Sequence, residues 1–133
     1  MHLSVIVKLA AASALGAVIC LALAPISTPA PYDKAAHLVA FFVLTLVFSL
    51  AWPNTAKLVI PVALITLGGA IELIQGATAL GHEADVWDSV ADCTGVASAL
   101  VVLFLCRYLA THAAPPQPEQ ELQTSDPAPH ILP

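Results

Sequence analysis

The chain has 133 residues, of which 59% are hydrophobic and 10% charged, with a formal net charge of −5 at pH 7. A soluble domain carries about 25% charged residues, so this composition excludes an ordinary globular domain and points to an integral membrane protein. Four Lys and Arg against nine Asp and Glu leave no basic stripe for a nucleic-acid surface, and three cysteines without CxxC spacing give neither a zinc motif nor a disulfide framework.

Four apolar runs follow in chain order, over residues 3–24, 35–52, 58–75 and 88–108. Each is 18 to 22 residues long, the length a spanning helix needs. The first carries Lys8 near its start and ends in Ala22-Leu23-Ala24, which has the form of a signal-peptidase site. Pro25 would hinder that cut, so the run is read as a retained span. In the third run Pro61 falls in the first turn, where a missing N–H costs little. Trp52, Trp87, Tyr32 and Tyr108 lie at the ends of runs and suit the aromatic belts of membrane interfaces. Cys20, Cys93 and Cys106 lie in or beside apolar runs, where they are expected to pack as small hydrophobes. The expected architecture is all-α, a four-helix transmembrane bundle over residues 1–112 with a disordered Pro-rich tail over 113–133, which holds Glu119, Glu121 and Asp126. With four spans, Lys8, Lys57 and Arg107 fall on one side and Lys34 on the other. Three cations against one places both termini in the cytoplasm.

The acids are unevenly placed. The ten positions ending at Asp92 hold four carboxylates, and fourteen uncharged residues separate Asp92 from Arg107. Fourteen residues of helix rise only about 21 Å, short of the roughly 30 Å hydrocarbon core. Asp92 therefore lies about one turn inside the span. Glu72 repeats the arithmetic from Lys57, again across fourteen uncharged residues, and reaches a similar depth from the third span. Carboxylates at that depth face the bundle interior or water and find partners. Asp88, Asp92, Gly95 and Ala99 make one helical stripe; Gly68, Glu72 and Gln75 make a second; Asp33, His37 and Phe41 make a third. The small residues in these stripes let neighbouring helices approach closely. Three helices are thus expected to aim polar faces at one outward-facing pocket. Asp33 and Asp85 also suit helix N-caps, and Asp88 a first turn.

The runs "DKAAHLVAFFVL", "IELIQ" and "GHEADVWDSVADCTG" together resemble the VanZ-like family of small bacterial membrane proteins. The family pattern is Asp-Lys-x-x-His opening a helix, then Glu-x-x-Gln, then an Arg, an Asp six residues on, an Asn or Asp four later and a Gly three after that. Here it falls on Asp33, Lys34 and His37; Glu72 and Gln75; and Asp88, Asp92 and Gly95, across about residues 33 to 105. His82 stands where the family has Arg, and Asp92 where Asn is commonest. The resemblance implies a multi-pass protein of the bacterial cell (inner) membrane, in a family whose namesake is associated with teicoplanin resistance.

The expected function is envelope or antibiotic protection. A pocket of Asp33, Lys34, His37, Glu72, Gln75, His82, Asp88 and Asp92 would bind a membrane lipid head group or a lipophilic compound. No catalytic residue and no cofactor is assigned. The alternative is a membrane-embedded acid/base enzyme on a lipid-linked cell-wall substrate, using Glu72, Asp92 and His37. A metal site would draw on His37, His82, Glu72 and Asp88, which include no closely spaced ligand pair, so none is assigned. The bland reading is that these polar groups only cross-link helices and fix their register.

Overall fold

The computed structural model describes residues 2–24, 30–78 and 85–113; the expected disordered tail from 114 on, and His82, lie outside the described residues. Four helices make up the described structure: α1 (His2–Ala22), α2 (Ala30–Ala51), α3 (Val59–Ala77) and α4 (Val86–His112). All four are long and apolar enough to cross a membrane, so the chain is a multi-pass membrane protein with a helical bundle. At about 1.5 Å per residue they measure roughly 29 to 40 Å.

Local sequence explains the ends. Pro31 occupies the first turn of α2, where its fixed φ suits a helix start. Helix α2 therefore begins at Ala30 rather than 35. Asp33, expected as its N-cap, instead lies in the first turn, where a carboxylate complements the helix dipole. Helix α2 stops at Trp52-Pro53, and a tight turn in which Thr55 N–H donates to the Trp52 carbonyl at 3.1 Å reverses the chain into α3. Pro61 is the third residue of α3, as expected. Asp85 caps α4 by accepting from the Trp87 amide at 2.9 Å, so the helix opens before Asp88. It runs on to His112, past the expected end at 108.

Helix α2 is the hub, packed on α4, α1 and α3, with its widest contact on α4. Successive helices reverse direction, so α2 and α4 run parallel and open at the same end of the bundle. A small core of Phe41, Leu44, Leu64, Ile71 and Val96 joins α2, α3 and α4. Leu3, Ile6, Leu73, Phe104 and many other large apolar residues are exposed. In water such a surface would aggregate; in a bilayer it is the face presented to acyl chains. The cysteines belong to that outer face: Cys20, Cys93 and Cys106 are free and exposed rather than packed inside the bundle.

Glycine decides how close α2 and α4 come. A Cβ on Gly95 would run into the Leu38 carbonyl oxygen and lie 3.0 Å from the Phe42 amide nitrogen. Helix backbone cannot yield as a flexible side chain can, so this approach requires glycine. The Asp88, Asp92, Gly95 and Ala99 stripe is buried throughout, as the spacing predicts.

Candidate functional site

The parallel starts of α2 and α4 bring Lys34 and His37 opposite Asp88 and Asp92. Lys34 Nζ donates to Asp88 Oδ1 at 3.1 Å and also to Asp85. One turn deeper, His37 Nδ1 donates to Asp92 Oδ1 at 2.9 Å. Two rungs of one ladder thus join the helices, at the i, i+3 and i, i+4 spacings that put successive rungs on one face. The deeper rung is the drier: the Asp92 residue is 2% exposed, and its Oδ2 has no hydrogen-bond partner. That oxygen sits over Gly68 of α3, where a Cβ would displace it and would also come within 3.2 Å of the Phe41 ring. Gly68 therefore makes room for Asp92. Gly69, beside it, has open space.

Helix α3 supplies the other two polar groups. Glu72 Oε2 accepts from the Asp85 amide at 3.1 Å, while its Oε1 is buried and unpartnered. Gln75 Nε2 donates to the carbonyl of Ala22 at 2.8 Å, tying α3 to the last turn of α1. Glu72 and Asp92 do not share a hydrogen bond; each has its own partner. Asp85 is the residue whose weight the sequence hid. It is at once the cap of α4, the second acceptor for Lys34 and, through its amide, the donor to Glu72. Only the capping role carries a local signal, because the other two depend on where α2 begins and α3 ends.

Asp85 lies outside the spans. The Lys34 ammonium beside it, and after that the Trp87 amide, hold its carboxyl below the ordinary 3.8. A depressed folded value means that its contribution is complete above the ordinary value and is lost as pH falls through the folded one. The thermal midpoint of the detergent-solubilised protein is expected to drop on acidification below about pH 4, with a shallower drop in Asp85→Asn. Identical acid limbs in the two proteins would contradict this.

The eight sequence-predicted residues divide into three groups. Asp33, His37 and Gln75 line a cleft of about 300 Å³ between α1, α2 and α3, whose other walls include Val18, Leu21, Phe41 and Ile71. Lys34, Glu72, Asp88 and Asp92 form the network behind it and do not line it. His82 lies outside the described residues. The cleft between α1 and α3 went unforeseen, because nothing in the sequence ties Gln75 to α1. Its rim depends on a single interhelical bond. Gln75→Leu is expected to lower stability by only about 0.6 kcal/mol, the average for such bonds in membranes, yet to raise amide hydrogen exchange at the C-terminal turn of α1. Unchanged exchange there would show that this bond does not hold α1 in place.

Candidate metal ligands also meet here: Asp33, His37 and Asp88 each offer an atom within 4.8 Å of the others. This set shares only His37 and Asp88 with the four residues weighed on sequence grounds. Lys34 already engages Asp88, so a cation there would compete with an ammonium in place.

No protein-family model matches the chain, and comparisons with curated proteins and with solved structures found no match.

Proposed function

We propose that the protein is a VanZ-like membrane protein of the bacterial cell membrane, with both termini in the cytoplasm, that holds the polar head of a lipid or lipophilic compound in the cleft at its outer end. The observation that carries this reading is the cleft's composition. Asp33, His37 and Gln75 sit together among apolar walls, which suits a molecule with a hydrogen-bonding head and an acyl or aryl body. The motif residues support the family reading, because Asp-Lys-x-x-His and Asp-x-x-x-Asp pair rung by rung between α2 and α4. The Nδ1–H bond to Asp92 leaves His37 Nε2 with no hydrogen-bond partner among the described residues, on a ring that lines the cleft.

The acid/base enzyme fits less well. Of Glu72, Asp92 and His37, only His37 lines the cleft, and both carboxylates are enclosed. Teicoplanin is the first probe to try. Purified protein in nanodiscs is expected to bind it, and Asp33→Asn to weaken binding about tenfold, the worth of one hydrogen bond to a charged group. Equal affinity in the variant, or no binding by either protein, would remove the reading. Turnover of lipid-linked cell-wall precursors by the same preparation would favour the enzyme instead.

A further inference from the structure

A second cleft lies at the opposite end of the bundle from the acidic network. It encloses about 560 Å³ between the α2–α3 turn and the last turns of α4, and its walls include Trp52, Lys57, Ile60, Phe104, Arg107 and Tyr108. Lys57 and Arg107 have no ion-pair partner among the described residues, where the ion pairs all lie at the other end. From α1, Lys8 Nζ lies 5.9 Å from the centre of the Trp52 ring. Three of the chain's four basic residues thus lie at this end of the bundle. Every acid among the described residues (Asp33, Glu72, Asp85, Asp88 and Asp92) belongs to the far end. A cleft with two unpaired cations and no carboxylate is built for an anion.

We infer that this cleft is a binding site for an anionic phospholipid, with its phosphate between Lys57 and Arg107 and an acyl chain against Ile60 and Phe104. Three features favour a lipid over a dissolved anion. The cleft opens on lipid-exposed helix surface, as the exposed Phe104 shows. Trp52 directly follows α2 and Tyr108 lies in the last turns of α4, and both rings favour head-group depth, which suits cations beside them. Arg107 presents a planar fork that engages two phosphate oxygens, whereas Lys57 acts as a point charge. Basic pockets between spanning helices take acidic head groups for these same reasons. The inference rests on the end of the bundle at which the site lies, and holds whichever leaflet that end occupies.

The test uses the full-length protein in neutral detergent, titrated with phosphatidylglycerol or phosphatidylcholine and read by native mass spectrometry. Phosphatidylglycerol is expected to bind well above phosphatidylcholine. Each cation at the surface is worth about fivefold, so Lys57→Gln with Arg107→Gln should lose about twenty-fivefold for phosphatidylglycerol alone. Both side chains are exposed and unpaired, so the variant should fold; Lys57→Arg, which keeps the charge, should bind as wild type does. Equal binding of the two lipids, or undiminished binding by the double variant, would overturn the inference. So would competition by free glycerol phosphate at the same concentrations, since the ligand would then be a soluble phosphate. The chain's own acidic tail is the remaining occupant to exclude. If Glu119→Gln, Glu121→Gln and Asp126→Asn together raised lipid affinity by a similar factor, the cleft would belong to the tail; unchanged affinity supports the lipid.

Discussion

Replacing His37 with Ala is expected to be among the most damaging single changes in this protein, at about 3 kcal/mol, the upper end of the usual cost of leaving a buried polar group without its partner. The reason is the state in which it leaves Asp92. That residue is 2% exposed and already has one oxygen without a partner; the His37 bond at 2.9 Å satisfies the other. Without the imidazole, the carboxyl has no partner on either oxygen, with the Gly68 backbone and the Phe41 ring on one side of it. Adding Asp92→Asn to the His37→Ala protein should recover more than half of the loss, because the amide has the same shape and no charge to desolvate. Thermal unfolding of the wild type, both single variants and the double variant in one detergent gives the coupling directly. Additive losses would mean that the two side chains do not interact.

Gly95→Ala is the second large effect. An added methyl must push against the Leu38 carbonyl oxygen and the Phe42 amide, and neither can rotate away. Overpacking of this kind costs about 1 to 3 kcal/mol, and here the strain also parts the helices that carry the two rungs of the ladder. Stability should therefore fall by about 3 kcal/mol, at the upper end of that range. Gly16→Ala and Gly69→Ala are the controls. Neither position has an atom within 4 Å of the added carbon, so each should be neutral or slightly stabilising through better helix propensity. If all three variants melted together, the close approach of α2 to α4 would be wrong.

The parts of the fold set by hydrophobic thickness were legible from the sequence. Fourteen uncharged residues on each side of the counting put Glu72 and Asp92 inside their helices, and both are buried in the structure. The stripes ending in Gly95 and Gln75 likewise fall on the inner faces of their helices. What periodicity could not convey was which stripe faces which. The acid/base alternative would need Glu72 and Asp92 close together. Instead Asp92 faces α2 and Glu72 faces the Asp85 amide, because α4 is packed chiefly on α2. The start of α2 was misplaced by five residues, since Pro31 was not recognised as a first-turn residue; Asp33, expected to face the pocket and also suited to a cap, lies inside the first turn and lines the cleft. The cleft itself was invisible, as it depends on the Gln75 bond to a backbone carbonyl of α1, and a carbonyl has no sequence signature.

The side-by-side, parallel starts of α2 and α4 carry the ladder of Lys34 and His37 on Asp88 and Asp92, and thiol cross-linking tests them most directly. In a protein with Cys20, Cys93 and Cys106 replaced by Ala, cysteines at 33 and 88 would stand where carboxylate oxygens now lie within 4.8 Å of each other. A short bis-maleimide applied to native membranes should join them into a species of altered gel mobility, and should not join a cysteine at 33 to one at 57, at the far end of the bundle. Failure to join 33 to 88, with both thiols reactive once the protein is denatured, would contradict the arrangement.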